Sequence, residues 1–303
     1  MADIAASVLA KLKNKARLRK ISYQQCLQLF VQEEFLRRLS KSQYASNLIL
    51  KGGLFIYTLT NFESRATVDV DFLLRQQSAA LENVEKIIQE IIQTETGNDY
   101  ISFEAGRFEN ISPQRKYHGI STQLIGKIKQ VRVPFNIDIG VGDVIVPSPE
   151  ARKLITQLEE FESPEIATYS LESTIAEKFD AILQRFELTS RMKDFYDIYY
   201  LSQTFDFDGR KLQEAIYQTL QNRGTHFERD SFTRIEALSQ DRDMNVRWNH
   251  FIKNLGVESL NFEDILKAIT LFLEPIFDAI LNEDELLKLW DSKNFSWRIW
   301  ADV

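Results

Sequence analysis

Arg65-Ala-Thr-Val-Asp-Val-Asp-Phe-Leu-Leu74 alternates polar and apolar residues, and its second half reads as a β-strand. Side chains on a strand alternate between faces, so Asp69 and Asp71 project from one side and can hold a divalent cation between them. Val68, Val70 and Phe72 take the other side and are expected to be buried, which turns the carboxylates toward a cleft. An Asp-x-Asp pair alone is a weak signal. The chain holds two more, Asp206/Asp208 and Asp241/Asp243, both beside predicted helices, where turn or N-cap duty explains them. What sets Asp69 and Asp71 apart is Gly52-Gly53, the only Gly-Gly in the chain, lying between Lys51 and an apolar run that can form a helix. Glycines at such a point free backbone N–H groups to approach a phosphate.

Outward from this core the texture is α+β. Ser22 to Lys41 places Leu27, Phe30, Val31, Phe35 and Leu39 at helical spacing, and Ser78 to Thr96 does the same with Leu81, Val84, Ile87, Ile88, Ile91 and Ile92. Residues 101–108, 117–128 and 131–141 then shorten to period two and predict an antiparallel meander. In the last of these Arg132, Asn136 and Asp138 share a face. Two-metal phosphoryl transfer needs a third carboxylate, and Asp138 fits if its strand neighbours that of Asp69 and Asp71; the bland alternative is a solvent-facing strand residue. After Pro147-Ser-Pro149 the sequence reads as helices over 171–186, 191–203, 208–222, 230–238, 246–255 and 262–281. The expected organisation is an α+β domain over 1–150 and a helical domain over 151–303 that completes the cleft.

Composition bounds the function. With 303 residues, 44% hydrophobic and 12% aromatic, the chain is globular and long enough for two domains. A net charge of -7 excludes a uniformly basic nucleic-acid binder and leaves only local patches. One cysteine, Cys26, and three histidines allow neither an internal disulfide nor a zinc cluster, and His118, His226 and His250 show no partner spacing. The start of the chain lacks the pattern of a signal peptide. The longest apolar candidate, Ile265 to Leu281, is interrupted by Lys267, Glu274, Pro275 and Asp278, so a membrane protein is not expected and a cytoplasmic one is.

A second cluster of charge lies in the helical half. Lys178 and Arg185 are seven apart on one predicted helix, and Arg191, Asp194 and Asp197 recur every three residues on the next. They either salt-bridge one another or place Lys178 on a triphosphate, where a cation neutralises developing charge. Lys11 to Lys20 carries six basic residues in ten, either an RNA-docking patch or a solvated helix. The aromatic tail from Leu286 to Trp300 is expected to fold back on the core, with docking onto a partner as the alternative.

The ordered set Leu36-Arg-Arg-Leu-Ser40 with Ser42-x-Tyr44, Leu50-Lys-Gly-Gly53, Arg65 to Phe72, Ala176-Glu-Lys178 and Arg191-x-Lys-Asp-x-Tyr-Asp197 resembles the AbiEii/AbiGii abortive-infection toxin family of nucleotidyltransferases. The resemblance covers about residues 18 to 205. It implies the minimal, DNA polymerase β-like nucleotidyltransferase fold, with a mixed sheet and flanking helices. It also implies Mg²⁺-dependent transfer of NMP from an NTP to an RNA acceptor, with tRNA first among them, and a toxin's role beside a cognate antitoxin. Carried over, Gly52 and Gly53 match the phosphate-binding glycines, Asp69 and Asp71 the metal-binding pair, and Lys178 and Asp197 the Lys and Asp of the later motifs. Asp194 and Arg191 lie in the last of these, on the nucleotide side. The sequence departs from many relatives in having Leu54 after Gly53, where a Ser or Thr hydroxyl commonly serves the phosphate. That departure keeps open a non-catalytic nucleotide- or protein-binding module on the same scaffold, and a protein-modifying (AMPylating) enzyme uses the same geometry.

Overall fold

The computed structural model describes residues 3–60, 64, 65, 67–111, 119–257 and 260–299. Ala66 of the Asp-x-Asp stretch, Tyr117 and His118 at the start of a predicted strand, and Trp300 of the tail lie outside them. The chain divides into two compact units, 1–143 with 149–169, and 144–148 with 170–303.

The first unit contains α1 (Ile4–Arg19), α2 (Tyr23–Lys41), β1 (Leu48–Lys51), α3 (Gly52–Leu59), β2 (Val70–Leu74), α4 (Leu81–Ile92), β3 (Ile101–Ile111), β4 (Gly119–Ile128), β5 (Val131–Val141), β6 (Glu150–Lys153) and β7 (Glu165–Thr168). Its seven strands form one mixed sheet in the order β3-β4-β5-β2-β1-β7-β6. The expected meander is present as β3-β4-β5, antiparallel throughout. β5 then lies parallel to β2, so the strand of Asp138 is next to that of Asp71.

One face of the sheet is apolar and buries α2. Phe35 of that helix meets Phe72 of β2, Phe103 of β3 and Phe135 of β5, with ring centroids 6.0 to 6.3 Å apart. Ser22 starts α2 by accepting a hydrogen bond from the Gln25 N–H. Residues 26–39 of α2 are all buried, charged ones included. These charges are tolerated because each is paired. The Arg37 guanidinium reaches both Glu33 and Glu34 and donates to the Glu162 carbonyl at 2.7 Å, while Arg38 donates to Glu34 and to the Ile101 carbonyl. Glu33 in turn accepts from the Gln157 N–H at 2.6 Å. The network therefore ties α2 to the segment between β6 and β7.

The sequence reading made residues 151–169 the start of the helical domain; the structure places β6 and β7 there, in the sheet of the first unit. Each has four residues, too few to show a period against neighbouring loops. Val68 is a second correction. The strand begins only at Val70, and Val68 sits in the bend before it, 52% exposed.

The second unit contains α5 (Leu171–Leu183), α6 (Met192–Thr204), β8 (Phe207–Asp208), α7 (Gly209–Arg223), α8 (Ser231–Ala237), α9 (Arg242–Leu255), α10 (Phe262–Asn282), β9 (Lys288–Asp291) and β10 (Ser296–Ile299). The two other Asp-x-Asp pairs do local work: Asp208 caps α7, Asp241 caps α9, and Asp206 accepts from Ser292. The tail folds back as expected, but as a small three-stranded sheet, β10-β9-β8. Trp290 is buried with its indole N–H on the Ser202 carbonyl at 2.7 Å, and Trp297 stacks on Phe272.

Candidate active site

The polar face of the sheet in the first unit carries one continuous row. Lys51 of β1 pairs with Asp71 of β2, Asp71 with Asp138 of β5, and Asp138 with Ser121 of β4. Neighbouring strands lie about 4.8 Å apart, so carboxylates at one register position of β2 and β5 can share a cation. Asp69 stands just before β2, where its carboxylate accepts from the Asn136 side-chain amide at 3.1 Å. Asp138 accepts from the Ser121 hydroxyl at 2.6 Å. Behind this row Val70, Phe72, Ile137 and Ile139 are buried, fixing the strands from the apolar side. The structure thus brings Asp71 and Asp138 into register and sets Asp69 beside the residue two before Asp138.

Gly52 explains itself in this setting. Its φ is +69°, and a Cβ added there would lie 2.1 Å from Asp71 Oδ2. The Asp71 carboxylate occupies the space that any other residue at position 52 would fill. Gly53 is the second close approach: an added Cβ would lie 3.0 Å from Thr67 Oγ1 and 3.4 Å from Arg65 Nη1. A hydroxyl and a guanidinium therefore face the glycine corner from the segment before β2, although Leu54 carries no hydroxyl. Sequence reasoning did not single out Thr67, Arg65 or Lys51 for this place. The Lys51 ammonium is 2.9 Å from Asp143 Oδ2 and sits over the Tyr169 ring, 5.1 Å from its centroid.

In the second unit, α5 and α6 bring the other predicted residues together. Lys178 Nζ is 2.6 Å from Asp197 and 3.5 Å from Asp194, and Arg191 holds Asp194 from the other side at 2.5 Å. The two carboxylates are 1–2% exposed and the lysine side chain 10%. Arg185 is not on the face of Lys178, because α5 ends at Leu183 and a short 3-10 turn follows. Of the basic stretch 11–20, Lys11 pairs with Glu160 and Lys15 donates to the Gln157 carbonyl, while Lys13 and Arg17 are exposed.

Nucleotidyl transfer works through hard divalent cations held by carboxylates. Among the described residues no group of three or more His, Cys, Asp or Glu side chains forms a compact metal cluster. The donors on the polar face nonetheless fit such an ion: they are carboxylate oxygens, two of them in register, and Asn136 and Ser121 orient two of the acids by hydrogen bonds.

A mixed sheet with Asp71 on β2 in register with Asp138 on β5, beside a Gly-Gly corner, fits the nucleotidyltransferase fold that the resemblance implies. The chain belongs to the family described as nucleotidyl transferase AbiEii toxin, type IV TA system, which it matches over residues 34–281. It is thus an NTP-dependent nucleotidyltransferase toxin whose family acts opposite an antitoxin. Among solved structures it is similar to MenT4, a nucleotidyltransferase toxin from Mycobacterium tuberculosis H37Rv, at 15% identity and a TM-score of 0.55, over 91% of this chain and 99% of that one. It is also similar to JHP933 from Helicobacter pylori, at 13% identity and a TM-score of 0.49, over 86% and 95% of the two chains. No curated protein matches the sequence. Among the described residues no helix is long and apolar enough to cross a membrane.

Proposed function

We propose that the protein transfers NMP from an NTP to the hydroxyl of an RNA acceptor, a tRNA foremost, in a reaction that depends on Mg²⁺. The observation that carries this reading is the register of Asp71 with Asp138 across parallel β2 and β5, beside a glycine corner shaped around Asp71. Asp69, Asp71 and Asp138 would hold the metal, which supplies charge neutralisation at the attacking and leaving oxygens when bound. Backbone N–H groups at Gly52 and Gly53 would receive the triphosphate. Lys178, held by Asp194 and Asp197 with Arg191 on Asp194, is the cation that the family resemblance assigns to the nucleotide. Asp138 would take the proton of the acceptor hydroxyl. The RNA acceptor rests on the family resemblance alone.

The test is incubation with each α-labelled NTP, Mg²⁺ and total bacterial RNA, followed by sizing of the labelled product. Label on an RNA of tRNA size, lost in Asp71→Asn with the fold intact, is the expected result. Label on protein instead moves the acceptor to a polypeptide. NTP binding without transfer to either leaves a non-catalytic module, the reading that Leu54 favours.

A further inference from the structure

We propose that Lys51 is a positioning residue for nucleotide transfer, acting on Asp71 through the glycine corner, and that Asp143 acts through Lys51. The proposal rests on the nucleotidyltransferase reading above and extends it to two residues with no assigned role. β1 ends at Lys51, whose partner across the antiparallel pair is Asp71. The next residue is Gly52, and the Asp71 carboxylate lies where a Cβ of Gly52 would be. One peptide unit therefore separates the backbone of Lys51 from the surface against which Asp71 rests. A displacement of Lys51 is passed to that carboxylate.

The lysine is held from two segments. Asp143, just after β5, pairs with its ammonium at 2.9 Å, and the fully buried ring of Tyr169, just after β7, lies beneath it. The Tyr169 N–H donates to the Leu50 carbonyl at 2.9 Å, which locks the end of β7 to the end of β1. The ammonium also lies 3.8 Å from where a Cβ of Gly140 would be, and Gly140 is two residues beyond Asp138 on β5. Lys51 is thus paired through its backbone to the strand of Asp71, and its side chain approaches the strand of Asp138. The side chains of Lys51 and Asp143 are only 14% and 10% exposed. An ammonium held at 2.9 Å by a carboxylate and seated over a buried ring is suited to holding geometry.

The experiment measures transfer kinetics from the preferred α-labelled NTP, and separately NTP binding by calorimetry with Mg²⁺ present. The proteins are wild type, Lys51→Met, Lys51→Arg, Asp143→Asn, the Lys51→Met/Asp143→Asn double variant and Asp71→Asn, each with its melting temperature. Lys51→Met and Asp143→Asn should each lower kcat about tenfold or more while leaving the NTP dissociation constant within about threefold. Lys51→Arg should recover most of the rate, and the double variant should fall no further than the worse single. A large loss of NTP affinity at unchanged kcat makes Lys51 a phosphate ligand and overturns the proposal. So do multiplicative losses in the double variant, or wild-type rates in either single. If Lys51→Met does not fold, Asp143→Asn and Lys51→Arg decide by the same criteria. Transfer lost in Asp71→Asn but kept in Lys51→Met and Asp143→Asn sinks this inference alone, whereas a wild-type protein that transfers nothing sinks the reading beneath it as well.

Discussion

At residue 52 one absent methyl group sets the place of a carboxylate. Gly52→Ala puts a Cβ at 2.1 Å from Asp71 Oδ2 at a positive φ, so the carboxylate must swing away even if the backbone holds. We expect a folded protein, destabilised by about 1–3 kcal/mol, that has lost nucleotide transfer about a hundredfold or more. Melting temperature and transfer rate measured together check this; full activity would show that Asp71 does not work from its present position. Gly53→Ala meets Thr67 at 3.0 Å, where a shift of a few tenths of an ångström suffices, so its loss should be several-fold smaller. Ser121→Ala removes the 2.6 Å hydrogen bond that orients Asp138 but leaves the acid, and a fall in kcat of about three- to tenfold with little change in NTP affinity is expected. Gly52, Asp69, Asp71 and Asp138 stood out as candidates in the sequence because a glycine pair and a two-residue period are local signals. Lys51 with Asp143, a contact between residues 92 apart, has no local signature, and neither does the approach of Thr67 and Arg65 to Gly53.

Elements were legible in proportion to their length. α2, α4, α10 and the meander β3-β4-β5 each repeat their period several times, whereas β6, β7, β9 and β10 have four residues apiece and β8 two. Those short strands exist because neighbouring elements pair with or bury them: β7 leans on β1, and β9 carries Trp290 into the helices. Trp290→Ala empties a site 2% exposed and orphans the Ser202 carbonyl, and should cost the second unit about 3–5 kcal/mol, seen as a lowered denaturation midpoint. The α5–α6 pair complicates any test of Lys178. Removing its ammonium takes the 2.6 Å ion pair from Asp197, which is nearly fully buried, while Asp194 keeps Arg191. Lys178→Met should therefore destabilise by about 3–5 kcal/mol as well as lose activity. Adding Asp197→Asn to it should restore part of the stability and none of the activity. Recovery of activity in that double variant would remove Lys178 from the reaction.

For the molecule as a whole, 44 acidic residues against 37 basic ones mean that carboxylates govern the response to pH. Most of those with a displaced value are exposed and lowered, such as Asp3 by its hydrogen bond to Lys129 and Glu90 by its hydrogen bond to Tyr44, and they weaken the fold only in strong acid. Glu33 runs the other way. Burial pushes its carboxyl up to about 7, against the hydrogen bond from the Gln157 N–H and the nearby charges of Arg37 and Lys15. A raised folded value means that the folded protein holds this proton more tightly than the unfolded chain, whose value is near 4.5. Stability from this group therefore declines as pH rises from about 4.5 to about 7 and stays lower above that, by at most about 3 kcal/mol. Above pH 5 the lowered, exposed acids are largely ionised in both states, so the window from pH 5 to 8 leaves Glu33 and Glu274, whose carboxyl burial also raises, as the displaced carboxylates that titrate. In urea titrations of the wild-type protein the midpoint should fall across that window. Glu33→Gln keeps an acceptor for the Gln157 N–H, leaves Arg37 on Glu34, and removes the titration of this group, so its midpoint should fall less steeply than that of the wild type. Equal slopes in the two proteins would show that the buried network of α2 takes up no proton, and that its charges remain paired throughout.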